Sequence, residues 1–220
     1  MHRYIDTIEL LHREPEKWLP QKTVRHIKMF LSGFLCVDII GTENADLLVP
    51  LVNGFARFLA SKYGKYYLDY SAEVALCHAG YDDDESFEVY FSEWTTFYGQ
   101  WSKASGLTTI ENAVIPVVDL SKVLRAIKSK PNLYLLRPSI EMLYSFIRGA
   151  QRSCECYAPR ARVEPNLGAY EVWLCDRSPL RKLCRWDRLL LAENYFDERA
   201  AIAKFFETLD EFRKQGVGSA

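Results

Sequence analysis

An internal repeat constrains this chain more than any other feature of its sequence. Pro15 and Trp18 recur as Pro131 and Tyr134, 116 positions later. Further pairs keep this offset: Leu19 and Leu135, Thr23 and Ser139, Val24 and Ile140, Ile27 and Leu143, Phe30 and Phe146, Leu31 and Ile147, and Gly33 and Gly149. Repeats of this kind indicate that one structural unit is used more than once.

A second block repeats at an offset of 115. It pairs Phe87, Tyr90, Phe91, Trp94 and Phe97 with Ile202, Phe205, Phe206, Leu209 and Phe212, each series preceded by acidic residues. Any two amphipathic helices can be aligned on their apolar spacing. That alternative does not explain why a proline, an aromatic residue and a glycine are shared at one offset. We therefore interpret the repeat as a tandem duplication.

The apolar spacing within the blocks predicts helices. Apolar residues at 24, 27, 30, 31 and 34 form a helical stripe, and so do those at 87–97 and 202–212. Thr23 and Ser139 stand where an N-cap is expected. Gly33, in mid-helix, predicts the close approach of another helix. Further helices are predicted over 47–63, 170–175 and 183–192, and an apolar pattern resumes over 66–78.

These elements predict an all-α protein of two tandem, duplicated helical units, each of about four helices, packed together. The first unit spans residues 1–101 and the second residues 119–216. Residues 102–118 connect them, because their glycine, threonines and proline interrupt a helix. Within this segment, residues 113–118 are expected to be extended and to pack between the units.

Composition and cysteine usage fit a globular protein that binds no metal or cofactor. Of 220 residues, 49% are hydrophobic and 26% are charged, and no run of 18 apolar residues predicts a membrane span. Asp6 and Glu9 interrupt any apolar leader, so we expect a cytoplasmic location. The six cysteines lack zinc-site spacing, and we expect reduced, buried thiols rather than metal ligands.

Charge is distributed unequally between the halves. Residues 1–110 contain 10 Lys and Arg against 15 Asp and Glu, whereas residues 111–220 contain 18 against 14. The sharpest local feature is the acidic run Asp82, Asp83, Asp84 and Glu85, followed by Glu88. These five residues are the candidate partner-binding site, for a basic partner. The alternatives are a cation site, although the usual calcium-loop spacing is absent, or a solvated helix start.

The sequence contains no recognised catalytic motif. His12 and His26 flank the first proline landmark and could serve acid–base chemistry, but neither has a counterpart in the second unit. We therefore expect that the protein is not an enzyme. Arginines are frequent in the second half, for example Arg148, Arg152 and Arg185. Because acidic residues are mixed among them, we predict a solvated surface or a contact with the first half rather than nucleic-acid binding.

A resemblance to a known group of proteins follows from these landmarks. Pro131 to Leu135, the helix ending at Phe146-Ile147-Arg148-Gly149, and Phe205-Phe206-Glu207-Thr208-Leu209-Asp210-Glu211-Phe212 resemble small helical immunity proteins encoded beside bacterial polymorphic or contact-dependent toxins. The resemblance implies a stoichiometric inhibitor that occludes a cognate toxin domain in the cytoplasm. The alternatives are a general helical interaction or regulatory module, and an enzyme that uses His12, His26 or the Asp82 cluster.

Overall fold

A computed structural model of the chain describes residues 2–41, 45–63, 80–105, 117–157, 162–180 and 185–216. These ranges are helical apart from two three-residue strands and the turns between elements. The first half contains α1 (His2–Arg13), α2 (Pro15–Trp18), α3 (Val24–Gly41), α4 (Ala45–Tyr63) and α5 (Asp83–Ser105). The second contains β1 (Val117–Asp119), α6 (Ser121–Ser129), α7 (Pro131–Tyr134), α8 (Ile140–Tyr157), β2 (Arg162–Glu164), α9 (Leu167–Arg177), α10 (Trp186–Glu193) and α11 (Glu198–Lys214).

The apolar stripes predicted these helices correctly at α3, α4, α5 and α11. The expected count of about four helices per half omits α2 and α7, which are single turns that begin at a proline. Proline favours a first helical turn because its fixed φ suits that position. The apolar stretch 66–78 lies outside the described residues.

The end of the connecting segment is extended, as expected for its last residues. β1 pairs with β2 in parallel, with Val117 opposite Arg162 and Asp119 opposite Glu164. Residues 113–116, the rest of the predicted extended segment, lie outside the described ranges. Among the helices that the structure describes, none is both long and apolar enough to cross a membrane.

The starts of α3 and α8 are fixed by side chains that accept backbone N–H groups. The Thr23 hydroxyl accepts from His26 N at 3.3 Å, which confirms the predicted N-cap of α3. At the start of α8 a different group takes this place. Glu198, from α11, accepts Ile140 N at 2.7 Å, and the Ser139 hydroxyl donates to the same carboxylate at 3.3 Å. A negative charge at a helix N-terminus is favourable.

The turns before α3 and α8 have the same local geometry. Leu19 N donates to Pro15 O, and Leu135 N donates to Pro131 O, each at 2.8 Å. The residues that precede the two prolines have matching backbones, with φ −137° and ψ 53° at Glu14 and φ −142° and ψ 65° at Lys130. The two segments therefore enter their long helices in the same way.

Helices α3 and α8 pack backbone to backbone at two glycines. A Cβ atom on Gly33 would lie 1.8 Å from the carbonyl oxygen of Phe146, and one on Gly149 would lie 1.8 Å from that of Phe30. The two helices run in the same direction, because Glu141, at the start of α8, accepts from the Gln21 side chain just before α3, at 2.8 Å. The close approach predicted at Gly33 is therefore present, and α8 is the helix that makes it.

Two hydrophobic clusters flank this helix pair. The first contains apolar residues of α1, α3, α4 and α5, and the second those of α6, α8, α9, α10 and α11. Met29 and Val37 of α3 belong to the second cluster, and Cys156 of α8 packs against the first. Because each long helix contributes to both cores, neither half buries its apolar surface alone.

Alanine at either interface glycine should destabilise the protein strongly. Because the added methyl group has no room, we expect Gly33→Ala and Gly149→Ala each to lower the free energy of unfolding by about 3 kcal/mol, measured by urea denaturation. Gly99 is the matched control: it lies inside α5, and no packed neighbour lies within 4 Å of the position that a Cβ would take. Gly99→Ala should stabilise by up to about 1 kcal/mol. Equal effects at all three positions would contradict the packing described.

Candidate functional site

The acidic run forms the start of α5. Asp82 Oδ1 accepts Glu85 N at 2.8 Å, and Glu85 Oε2 accepts Asp82 N at 3.4 Å, so the two side chains cap each other's backbone. Asp82, Asp83, Asp84, Glu85 and Glu88 are all exposed. The five predicted residues are therefore all exposed in or just before the first turns of α5, and Asp82 and Glu85 also have a capping role.

Helix α1 contacts α5 beside the acidic run and has exposed acidic residues of its own. His12 Nε2 lies 3.3 Å from Glu88 Oε2, and the His12 ring stacks on Phe91 with 4.4 Å between centroids. Asp6 and Glu9 are exposed on α1. Burial, and then the charges of Glu9 and Asp6, raise the pKa of Tyr98 on α5, which indicates that these carboxylates lie near it. We call the exposed carboxylates at the start of α5 the acidic face; it comprises Asp82, Asp83, Asp84, Glu85 and Glu88.

Much of the acidic face has no cationic partner within the described residues. Asp83, Asp84 and Glu85 form no ion pair there, whereas Glu88 is paired with His12. No group of three or more His, Cys, Asp or Glu side chains in the described ranges is arranged to hold a metal ion. Asp83, Asp84 and Glu85 thus form a patch of exposed negative charge with no ion-pair partner in the part of the chain that the structure describes, and such a patch attracts cationic groups over about a Debye length.

The two histidines named as candidate acid–base groups lie in different surroundings. His12 is half-exposed beside Glu88. His26 is buried, its Nδ1 shares a 2.7 Å hydrogen bond with the Thr23 hydroxyl, and its Nε2 has no hydrogen-bond partner among the described residues. Desolvation, with smaller contributions from Arg137, Arg185 and Arg25, lowers the pKa of His26 to about 4. Each histidine thus contacts its own set of neighbours.

His26 borders a buried polar cluster between the halves that the sequence did not reveal. Glu141 Oε2 lies 4.0 Å from His26 Nε2, and burial, followed by the charges of Asp187 and Glu198, raises the pKa of Glu141. Because the low pKa keeps His26 neutral, we regard this contact as dipolar and not as an ion pair. Asp187 is fully buried and accepts two hydrogen bonds from Arg185.

Several arginines of the second half make internal contacts. The guanidinium groups of Arg148 and Arg152 each lie 5.3 Å from the ring centroid of Trp18, in the first half. Arg185 lies 4.5 Å from the Tyr144 ring. Cation–π contacts of this kind are stabilising at such distances. The sequence left two predictions for the basic residues, a solvated surface or a contact with the first half. Arg148 and Arg152 make a contact with the first half.

The expectation of buried thiols is met at Cys154 among the four cysteines that the structure describes, whereas the other three are partly buried. Cys154 is buried, and desolvation, with the nearby charge of Glu155, raises the pKa of its thiol to about 12. Cys36 is half-buried, and desolvation raises its pKa too. Cys154 and Cys36 are therefore weakly ionised, which makes them poor nucleophiles and poor metal ligands at neutral pH.

Sequence reasoning missed a set of exposed apolar side chains. Among the described residues, all the large hydrophobic side chains that are exposed belong to the second half: Leu133, Tyr134, Leu136, Val172, Leu180, Tyr195 and Phe196. Tyr195 and Phe196 are 94% and 75% exposed, and both have positive φ. The signal that could have found them is their alignment with Gly80 and Tyr81 at the offset of 115.

Comparison with known proteins identifies no relative. No protein-family model, no curated protein and no solved structure matches this chain.

The buried imidazole makes stability depend on pH. The folded pKa of His26, about 4, lies below the unfolded value of 6.5, so the unfolded chain binds a proton first as pH falls. The stability that neutral His26 provides is therefore complete above pH 6.5 and is lost progressively down to pH 4, by about 3 kcal/mol in total. Urea denaturation across this range should show a shallower pH dependence for His26→Gln than for the unsubstituted protein. Parallel curves would contradict a neutral buried His26.

Proposed function

We propose that this protein is an immunity protein, which binds a cognate bacterial toxin domain in the cytoplasm and neutralises it by stoichiometric occlusion. The observation that carries the proposal is the acidic face, a set of exposed carboxylates on a packed helical scaffold, of which all but Glu88 form no ion pair with the described residues. An inhibitor of this kind needs a preformed surface and complementary charge, and it needs no catalytic group. The partner that suits this face is a toxin domain with a basic surface.

We also infer that the two halves arose by duplication of one helical unit, with units at residues 1–101 and 119–216. Three observations support this inference. The landmark residues share an offset of 116, the turns at Pro15 and Pro131 have equal hydrogen bonds, and the contacts of Gly33 and Gly149 are reciprocal. In a symmetric dimer, the same helix of each copy would make reciprocal contacts of this kind, and here α3 and α8 make them within one chain.

The rigid attachment of the acidic face favours binding without large rearrangement. Asp82 and Glu85 are fixed by their mutual capping, and α5 is anchored beneath them by buried aromatic side chains. For example, Trp94 packs edge to face against Tyr4 of α1 at 6.0 Å and against Phe55 of α4 at 5.0 Å. A surface that is ordered before binding loses less conformational entropy on association.

The most direct test uses the product of the gene immediately upstream. We expect this product to stop cell growth when it is expressed alone, growth to resume when this chain is co-expressed, and the two proteins to copurify at equal stoichiometry. A product that is harmless without this chain would refute the immunity proposal. In that case, the general interaction module becomes the better description.

Charge reversal tests the role of the acidic face. We expect Asp83→Lys with Asp84→Lys to raise the Kd for the upstream product about tenfold or more, mainly through slower association, and to reduce its dependence on salt. Isothermal titration calorimetry and stopped-flow measurements give both quantities. Asp176→Lys with Glu207→Lys is the control, because it makes the same change in formal charge at exposed positions of the second half. If both double variants bind the upstream product with the same Kd, the acidic run serves only to cap α5.

A further inference from the structure

The turn between α10 and α11 places two aromatic side chains in solvent on a strained backbone. Tyr195 has φ 53° and Phe196 has φ 64°. This left-handed region is unfavourable for residues with a large side chain, and such strain persists only where the surroundings enforce it. At the equivalent position of the first half stands Gly80, with φ 88°. A glycine therefore stands in the first half where the second half has an exposed tyrosine with positive φ, whereas Tyr81, the counterpart of Phe196, does not have a positive φ.

The turn is held firmly by its backbone hydrogen bonds. Phe196 N donates to Leu191 O at 2.8 Å, and Asp197 N donates to Asn194 O at 3.0 Å. The Asn194 side chain donates to Leu190 O at 2.7 Å. Asp197 then caps α11 by accepting from two backbone N–H groups. The backbone that carries the two rings is thus fixed by hydrogen bonds, and both rings lie in solvent, outside the core.

A groove begins close to this turn and follows α11. Its floor is formed by Ile202, Ala203 and Phe206, and its opposite wall by Pro131 and Pro138, around a volume of ≈ 620 Å³. Glu198 ties the start of α11 to Ser139, next to Pro138. Leu133, Tyr134 and Leu136, which are 71%, 43% and 40% exposed, lie between Pro131 and Pro138 in sequence, outside the lining of the groove itself. We call the aromatic turn, the groove and this wall the apolar face.

The first half has no equivalent open surface at this turn among its described residues. Trp18, the counterpart of Tyr134, is covered by Arg148 and Arg152 of α8. The residues that correspond to these arginines on α3 are Ser32 and Cys36, whose side chains are too short to cover Tyr134 in the same way. Lys17, the counterpart of Leu133, is an exposed cation that pairs with Glu14 at 2.8 Å. The apolar face is therefore a departure from the shared scaffold.

The charges around the apolar face are mainly positive. Lys130, Arg137 and Arg199 are exposed and form no ion pair with the residues that the structure describes. The neighbouring carboxylates are occupied: Asp197 and Glu198 bind helix N-termini, and Asp210 pairs with Lys128 at 2.9 Å. Apolar side chains with uncompensated cations beside them are complementary to a segment that carries apolar side chains and carboxylates.

We propose that the apolar face is a second protein-contact surface, which binds a partner segment of apolar side chains flanked by carboxylates, with Tyr195 and Phe196 inserted as anchors. The proposal that the partner is a toxin rests on the proposed function, but the chemistry of the surface does not. Aromatic side chains are the kind of residue that dominates interface energies, and here they stand on a backbone that is ordered before binding.

Two substitutions at one position separate backbone strain from ring contact. Tyr195→Gly removes both the ring and the left-handed constraint, whereas Tyr195→Ala removes the ring and keeps the constraint. We expect the Tm of Tyr195→Gly to exceed that of the unsubstituted protein by about 2–4 °C, and the Tm of Tyr195→Ala not to rise. If Tyr195→Gly does not raise the Tm, the turn is unstrained. Strain then no longer indicates that the tyrosine is kept at this position for binding.

The binding test uses a phage-displayed library of random peptides, selected on the intact protein. We expect the selected peptides to be rich in apolar residues and carboxylates, and their Kd, measured by fluorescence anisotropy, to rise about tenfold or more for Tyr195→Gly, Tyr195→Ala and Phe196→Ala. Val172→Ala, which removes another exposed apolar side chain on α9, is the control and should bind as the unsubstituted protein does.

Three results would overturn the proposal. The first is that no peptide is selected, or that selected peptides bind all variants equally. The second is a dimer, measured by light scattering, that Phe196→Ala converts to monomer, because a second copy would then occupy the face. The third is full neutralisation of the upstream product by Tyr195→Ala, which would leave the immunity proposal intact. If the unsubstituted protein does not neutralise that product, only the immunity proposal is refuted. The peptide experiment still tests whether the apolar face is a contact surface.

Discussion

The direct backbone contact between α3 and α8 is the constraint on which the rest of the structure depends. Two helices can approach so closely only where neither has a side chain, and Gly33 and Gly149 provide this on both sides. The approach lets side chains on the flanks of each helix reach across, so that Met29 and Val37 complete the core of the second half. The chain therefore folds as one packed body and not as two halves joined by a linker.

The same contact explains why polar groups are buried between the halves. With α3 and α8 running in the same direction, their first turns come together, and His26 meets Glu141 where water is largely excluded. Desolvation then disfavours the charged form of each group, which is why the pKa of His26 falls and that of Glu141 rises. Arg185 and Asp187 satisfy each other nearby, so that the cluster contains little unbalanced charge.

Local features of the sequence predicted the local structure well. The apolar stripes predicted the long helices, Thr23 predicted a cap, and Gly33 predicted a close helix approach, because each of these depends on residues near in sequence. The identity of the helix at Gly33 and the cluster around His26 could not be predicted, since they depend on how distant elements pack. Tyr195 and Phe196 escaped notice for a related reason: an aromatic residue is usually assigned to the core, and only the backbone angle at the turn directs these two outward.

The differences between the halves carry more functional information than their similarities. The landmarks that both halves keep, such as Pro15 and Pro131, fix turns and packing. At positions where the halves differ, the first half has exposed carboxylates at Asp84, Glu85 and Glu88, and the second half has exposed apolar side chains such as Tyr195. These two kinds of surface contribute differently to association, because long-range charge accelerates encounter whereas buried apolar anchors slow dissociation. On the proposed function, the acidic face sets how fast the partner is captured, and the apolar face sets how long it is held. Separation of the two roles on different halves lets each surface change without disturbing the helix contact that supports both.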